Sequence, residues 1–330
     1  MADPSLPVVS VQPGDLCVGI DVAKEHLDVA RSDAPPGHCL RLTNDPAGIA
    51  RIVEMFTADR PACIVVESTG GLERPLLEVL LDARLPVARV NPGRVRYFAI
   101  GCGILAKTDR LDADVLAQFA QRAKVRLTQR CSANQDELDA LVTCRRQLVS
   151  ARAVQANCRS SSRSKAAVKS IDAVIKALDK QIDALDRQIR DLIDSDDDFT
   201  HTDQLLRTVP GIGPVASSTL MAELPELGRA DRQCVGALVG VAPFNDDSGK
   251  RQGKRAVRGG RIQVRCVLYM ATLTATRCNP ALKRFAERLA AAGKTFKVIM
   301  VACMRKLLSW LNAMLRDNLT WDQLRITKTA

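Results

Sequence analysis

The sequence predicts an N-terminal α/β domain, a coiled-coil helical spacer and an all-α C-terminal domain. Short apolar, β-branched runs alternate with helical patterns up to about residue 125. A seven-residue apolar repeat follows, and the last third of the chain reads as helices separated by Gly- and Pro-containing turns. We place a flexible arm at 1–14, the α/β domain at 15–130, the spacer at 131–200 and the C-terminal domain at 201–330.

The elements of the first domain follow from local patterns. Strands are predicted at 16–23, 26–31, 38–43, 62–67 and 87–90. Helices are predicted from Asp45-Pro46, over 73–83, from Asn91-Pro92 and over 109–122. The three opening strands favour an antiparallel section of a mixed sheet, and the later crossovers favour parallel strands. This order is compatible with a ribonuclease-H-like fold.

Charge is distributed unevenly along the chain. The formal net charge is +11 over 330 residues. Residues 1–125 carry 14 basic and 16 acidic side chains, whereas the remainder carries 34 and 21. We therefore expect a polyanion such as nucleic acid to bind the second part of the chain. Aromatic residues make up only 3%, which disfavours recognition by base stacking.

Cysteine usage and hydropathy exclude several classes of protein. The eleven cysteines include no C-x-x-C pair, so zinc fingers and a disulfide framework are both poorly supported. We expect free thiols in a reducing cytoplasm and no secretory signal. We also expect no apolar run of the roughly 18–20 residues that would span a bilayer.

Four carboxylates are the predicted catalytic group. Asp21 and Glu67 each lie near the end of an apolar strand, and Asp109 and Asp112 are three residues apart on one predicted helix. A fold that gathered them would need cations to neutralise them, and oxygen ligands favour Mg²⁺ or Mn²⁺. Two such ions could assist phosphoryl transfer. The alternative is four surface carboxylates that never meet.

The spacer combines an apolar seam with a basic stretch. The seam steps by 4 and 3 residues through Ile171, Ile175, Leu178, Ile182, Leu185, Ile189 and Leu192. It fits either a hairpin within one chain or a coiled coil between chains. Residues 140–171 contain no acid, and the basic residues there, interpreted as phosphate contacts, are Arg145, Arg146, Arg152, Arg159, Arg163, Lys165 and Lys169. A solvated helix face is the alternative. An acidic hinge is predicted at 195–202.

Two features of the C-terminal domain suggest contact with DNA. The turn Pro-Gly-Ile-Gly-Pro, with Gly211 and Gly213, is typical of a helix-hairpin-helix that binds phosphates through backbone amides, or else of a structural turn. Ser248 lies before Gly249 in a polar loop, where it is either a nucleophile or a turn residue. The cations that follow it, predicted to contact nucleic acid, are Lys250, Arg251, Lys254, Arg255, Arg258, Arg261 and Arg265.

Taken in order, these motifs resemble those of a family of bacterial insertion-sequence transposases and recombinases. The motifs are GIDVAK, VVEST, VNP with the later KTDRLDA, PGIGPVASSTLMAEL, GVAP and DSGK, and they extend from Val18 to about Asn318. Members pair a DEDD domain similar to the RuvC Holliday-junction resolvase with a C-terminal transposase domain that bears a serine. One departure is Gly259-Gly260-Arg261, where Gly-Asn and a small linker are expected.

The resemblance implies a function and a set of partners. Asp21, Glu67, Asp109 and Asp112 would hold Mg²⁺ or Mn²⁺, and Ser248 would form a transient phosphoserine link to DNA. A noncoding guide RNA would pair with donor and target DNA, and homodimers would assemble into a tetramer with active sites shared between subunits. The protein would act in the bacterial cytoplasm at the nucleoid. The alternatives are a metal-dependent, structure-selective endonuclease and a non-catalytic nucleic-acid scaffold.

Overall fold

The computed structural model describes residues 9, 11–35, 37–105, 109–245, 247–248, 251–253 and 255–327, without the side chains of 109–111, 251–252 and 327. The chain divides into two compact units, Met1–Arg130 and Cys131–Ala330. The predicted spacer and C-terminal domain thus fall within one unit. Most of the predicted flexible arm lies outside the described residues. Its described end packs against the first unit, where the Val9 amide donates a hydrogen bond to the Val125 carbonyl at 3.0 Å.

The first unit contains a five-stranded mixed sheet. Its strands are β1 (Cys17–Val22), β2 (His26–Arg31), β3 (Cys39–Thr43), β4 (Cys63–Glu67) and β5 (Val87–Val90). The spatial order is β3-β2-β1-β4-β5, with the first three strands antiparallel and β1, β4 and β5 parallel. The prediction of an antiparallel section in a mixed sheet is confirmed, and the arrangement is consistent with a ribonuclease-H-like DEDD fold.

Helices cover both faces of this sheet. They are α1 (Pro46–Asp59), α2 (Arg74–Asp82), α3 (Pro92–Gly101) and α4 (Asp109–Arg122). Alternate residues of β1 point to opposite faces. Val18, Ile20 and Val22 pack with α1 and α2, whereas Cys17 packs in the core that α3 and α4 contribute to. A layer of helices therefore lies on each side of the sheet.

Gly19 lets helix α4 contact strand β1 through the backbone. A Cβ at this position would overlap the Ala113 carbonyl oxygen and the Ala117 amide nitrogen of α4. Ala113 and Ala117 form a small buried cluster with Ala30, the β2 partner of Gly19. Because all three are alanine, the helix can lie close to the sheet. This contact fixes Asp112, the neighbour of Ala113, in the same part of the fold as Asp21, two residues beyond Gly19.

The second unit begins with a long helical hairpin, α5 (Ala133–Ser161) and α6 (Lys165–Asp194). The helices are antiparallel within one chain, because residues 145, 152 and 159 of α5 pair with 186, 179 and 172 of α6. On the predicted seam, Ile182 and Ile189 are buried, and the other five members are only half-buried. Of the two arrangements predicted from the seam, the structure contains the hairpin within one chain.

The rest of the second unit is a bundle of helices with four two-residue strands. The helices are α7 (Asp197–Arg207), α8 (Pro214–Glu223), α9 (Arg232–Val239), α10 (Ile262–Cys278), α11 (Pro280–Ala291), α12 (Phe296–Asp317) and α13 (Trp321–Thr327). The strands are β6 (Pro243–Phe244), β7 (Asp247–Ser248), β8 (Arg251–Gln252) and β9 (Ala256–Val257). The predicted acidic hinge at 195–202 is wrong, because Asp196 caps α7 by accepting a hydrogen bond from the Phe199 amide at 3.1 Å.

Helix α12 corrects the expectation that no segment is long and apolar enough to span a bilayer. In the described part of the chain it alone meets that test, by length and composition. Half of its apolar stretch is buried inside the second unit, where Cys303, Leu307 and Leu311 belong to the core. Its apolar character is thus accounted for by its position as the core helix of this unit.

Candidate active site and nucleic-acid surfaces

Two of the predicted carboxylates lie side by side at one edge of the sheet. Ile20 of β1 pairs with Val66 of β4 in the parallel ladder, so the next residues, Asp21 and Glu67, are neighbours on the opposite face. Each is half-buried and lies at the carboxyl end of its strand, where ligands bind in open α/β sheets. They share the face of Gly19, which is the face that α4 covers.

Helix α4 supplies the other two predicted ligands. Asp109 is its first residue, and Asp112 is half-buried one turn later. The described side chains alone form no group of three that could hold a metal ion, and the Asp109 side chain lies outside them. The donor types nevertheless fit Mg²⁺ or Mn²⁺ chemically, because all four residues are carboxylates and two of them, Asp21 and Glu67, are neighbours at the strand ends. The four-ligand site stays a prediction.

Asp28 is a charged residue beside this edge that the sequence analysis missed. It is the direct cross-strand partner of Asp21 and is 1% exposed. Arg41, its partner on β3, donates two hydrogen bonds to it at 2.8 and 2.7 Å. Burial opposes ionisation of Asp28, but the hydrogen bonds and charge of Arg41 hold its pKa below the usual value. The sequence does contain a sign of this residue, because Asp28 is an acid between the apolar residues Leu27 and Val29.

Ser248 lies in a ribbon made of two short antiparallel strand pairs, β6 with β9 and β7 with β8, and not in an irregular loop. Phe244 pairs with Ala256 at its base, and Ser248 pairs with Arg251 near its tip. The Asp247 carboxylate accepts a hydrogen bond from the Gly253 amide at 3.2 Å. Ser248 is exposed, and its hydroxyl makes no hydrogen bond within the described residues. The second unit thus presents the serine to solvent without a base from the described part of that unit.

The base of this ribbon is held by two glycines. Gly240, which ends α9, and Gly260, which precedes α10, have φ values of 76° and 75° and pack directly against each other. A Cβ on Gly260 would overlap the Gly240 backbone. The Gly259-Gly260 departure noted in the sequence is therefore accommodated by close backbone packing at the ribbon base.

Two of the predicted DNA-binding arginines stabilise this base. Arg261 donates to both carboxylate oxygens of buried Glu226 at 2.5 Å and to the Glu223 carbonyl at 2.8 Å. Arg265 donates to the Gly259 carbonyl at 2.5 Å. These internal contacts give Arg261 and Arg265 a structural role, and their contact with nucleic acid stays a prediction.

The remaining loop cations are placed differently. Arg258 lies over the Phe244 ring at 5.9 Å from its centroid, and Arg255 is exposed without an ion-pair partner in the described part of the chain. Lys250 and Lys254 lie outside the described residues, as does the Arg251 side chain. Arg255 and Arg258 therefore stay available for phosphate contact.

The hairpin changes the interpretation of the basic stretch on α5. Arg145, Arg152 and Arg159 form ion pairs with Asp186, Asp179 and Asp172 of α6. Arg146 pairs with Glu223. Burial raises the pKa of the Glu223 carboxyl, although the charge and hydrogen bond of Arg146 act to lower it. The four α5 arginines are thus engaged in internal ion pairs, and their contact with phosphate stays a prediction. Arg163, Lys165 and Lys169 are exposed and have no ion pair among the described residues.

The two glycines of the Pro-Gly-Ile-Gly-Pro turn have different surroundings. Gly211 packs against Ala275 of α10 so closely that a Cβ would overlap it, which favours a structural role. Gly213 is the exposed N-cap residue of α8, and a Cβ there would meet open space. Gly213 is thus placed where an approaching phosphate could reach its backbone.

Comparisons with known proteins agree with this architecture. A transposase family model, DEDD_Tnp_IS110, matches residues 18–162, and the model of the IS116/IS110/IS902 transposase family matches residues 203–287. The pilin gene-inverting protein of Moraxella bovis is 29% identical over 93% of this chain and 97% of its own length, and that of Moraxella lacunata is 28% identical over the same shares. An insertion element IS110 protein of Streptomyces coelicolor is 26% identical over 36% of this chain and 30% of its own length. The chain belongs to the IS110 family of DEDD transposases and recombinases.

Proposed function

We propose that this protein is an RNA-guided DNA recombinase that excises and inserts an insertion sequence, with Ser248 as the nucleophile. The observation that carries the proposal is a division of chemistry between the two units. Asp21 and Glu67 lie together at a strand-end edge of the first unit. Ser248 is exposed on the ribbon of the second unit without a hydrogen-bonding base among the described residues. Among the residues that the structure describes, neither unit alone presents a complete site for phosphoryl transfer.

The carboxylate edge would hold the metal. Asp21, Glu67, Asp109 and Asp112 are the proposed ligands of Mg²⁺, with Mn²⁺ as an alternative. The bound ions would supply positive charge to offset the developing negative charge on the phosphate. Buried Asp28 does not add a free negative charge beside Asp21, because Arg41 pairs with it through two hydrogen bonds.

The serine would conserve the energy of the DNA phosphodiester. The Ser248 oxygen forms a bond to phosphorus while the bond from phosphorus to the 3′-oxygen breaks. The serine loses its proton, the departing 3′-oxygen gains one, and the 5′-phosphate remains on the protein. A 3′-hydroxyl from the exchanged strand then attacks this phosphoserine and restores the serine hydroxyl. One phosphate ester replaces another at each step, so no external energy source is needed.

Assembly would bring the two halves of the site together. We propose a homodimer that forms a tetramer, in which the carboxylates of one subunit act with the serine of another. Near the turn between α5 and α6, the apolar seam is only half-buried. Ile171, Ile175 and Leu178 retain exposed apolar surface there, which supports pairing between chains.

Guide RNA is a separate part of the proposal. We expect an RNA encoded by the element to co-purify with the protein and to pair with donor and target DNA. Sequencing the RNA bound to protein isolated from cells that carry the element is expected to recover one defined transcript. Recovery of only a random sample of cellular RNA would rule out guided recognition.

The serine mechanism predicts a covalent intermediate. Protein incubated with its guide RNA, its DNA substrates and Mg²⁺ is expected to yield a DNA adduct that survives denaturation, and Ser248→Ala is expected to abolish it. Ser170→Ala, which changes an exposed serine of α6, is the matched control and is expected to form the adduct normally.

The same experiment distinguishes the alternative enzyme. A structure-selective endonuclease that uses water would cut DNA equally in the parent and Ser248→Ala proteins and would form no adduct. Normal strand exchange by Ser248→Ala would exclude Ser248 as the nucleophile.

A further inference from the structure

The hairpin leaves the cations of one helix unneutralised. Three ion pairs, spaced seven residues apart, join arginines of α5 to Asp172, Asp179 and Asp186 of α6. These aspartates flank the seam and face α5. The pairs therefore use three of the acidic residues of α6, and the lysines of α6 have no ion-pair partner in the described part of the chain.

Four cations form a stripe on the outer side of α6. Lys169, Lys176, Lys180 and Arg187, hereafter the α6 stripe, are exposed and have no ion pair among the described residues. At about 100° per residue they project within roughly 40° of one another, and they extend over about 27 Å of helix. Asp183 is an exposed acid beside them, so the stripe keeps a clear positive excess.

The surface between these cations is a shallow groove that contains two small side chains, those of Ala173 and Ala177. The groove is lined by Ala173, Lys176, Ala177, Lys180 and Arg187 and by three acids, Asp179, Asp183 and Asp186. Two of these acids, Asp179 and Asp186, form ion pairs with arginines of α5. The two alanines leave room for a backbone to approach, and no aromatic side chain is present to stack on a base. Flexible lysines act as point charges and suit sequence-independent phosphate contact.

We propose that the α6 stripe binds the phosphate backbone of duplex DNA without reading its sequence. The length of the stripe is close to one turn of B-DNA, about 34 Å. The inference rests on the proposed function for its DNA substrate, but it concerns a surface outside the carboxylates and Ser248. The proposed phosphate contacts are exposed cations of α6, whereas the arginines of α5 form internal ion pairs.

The test removes three stripe charges and compares them with three scattered charges. Lys176→Gln, Lys180→Gln and Arg187→Gln are combined in the full-length protein, and Arg51→Gln, Arg229→Gln and Lys283→Gln form the matched control. Binding of a random 30-base-pair DNA duplex is measured by fluorescence anisotropy between 50 and 200 mM KCl. We expect the stripe variant to bind about tenfold or more weakly at 100 mM, with the slope of log affinity against log salt reduced by about 2–3. Circular dichroism checks that both variants are folded.

Two outcomes would overturn the inference. One is a stripe variant that binds DNA as the control does. The other is a stripe variant that loses affinity only for an RNA duplex of the same sequence, which would assign the surface to RNA. Adduct formation is scored in the same preparations with guide RNA, Mg²⁺ and saturating donor and target DNA. Absence of the adduct from every protein, including the parent, would reject the serine mechanism and leave the binding result standing.

Discussion

Asp21→Asn is expected to lower strand exchange by at least about a hundredfold while leaving the fold intact. The amide keeps the shape of the side chain but removes the negative charge that sits beside Glu67 at the strand-end edge. Loss of a group outside the metal ligands typically costs 10- to 100-fold in metal affinity or activity, so loss of a ligand should cost at least as much. Exchange is measured with a plasmid recombination reporter, and Mn²⁺ binding is measured by titration of the purified protein.

Glu54→Gln is the matched control for this prediction. Glu54 is an exposed acid of α1, which packs on the opposite face of the sheet, and it pairs with exposed Arg51. The control makes the same change of charge in the same unit and is expected to retain normal exchange and Mn²⁺ binding. Full exchange by Asp21→Asn in Mg²⁺ would contradict the metal site and would favour a non-catalytic scaffold.

The strands of the sheet could be predicted because each is marked by a pattern of neighbouring residues in the sequence. The apolar runs around Ile20 and Val65 indicate buried strands, and Asp45-Pro46 indicates a helix start that the structure confirms. The same runs place Asp21 and Glu67 at strand ends. The Asp28–Arg41 pair could not be predicted in this way, because it depends on the register of β2 with β3.

The charges of the hairpin illustrate the same limit more strongly. Residues 140–171 carry basic charge that no acidic neighbour in sequence opposes. Their partners lie on the returning helix, 41 residues away for Arg145 and 13 for Arg159. The serine ribbon was missed for a different reason, since strands of two residues are too short to show a periodicity. The acidic residues after Asp196 suggested a hinge, although acids in a first helical turn stabilise a helix.

Glu226→Ala is expected to destabilise the second unit by about 3 kcal/mol. Glu226 is 2% exposed and accepts two hydrogen bonds from Arg261, so its removal leaves a partly buried guanidinium without its carboxylate. Breaking such a pair from one side typically costs about 3–5 kcal/mol. The lower end applies because Arg261 is 27% exposed and can still contact water. Urea unfolding followed by tryptophan fluorescence measures the effect, since both tryptophans, Trp310 and Trp321, lie in this unit.

Glu287→Ala provides the comparison, because it removes an exposed carboxylate of α11 in the same unit. A change within about 0.5 kcal/mol is expected for it. If Glu226→Ala were equally mild, the Arg261 pair would not stabilise the base of the ribbon.

The Arg261–Glu226 pair is also expected to affect the position of Ser248. Arg261 directly follows Gly260 at the ribbon base, so loosening this residue should allow Ser248 to sample positions away from the phosphate. We therefore expect Glu226→Ala to slow adduct formation even at temperatures where circular dichroism shows the unit still folded. A variant that loses stability yet forms the adduct at the parent rate would show that the pair supports the fold without positioning the serine.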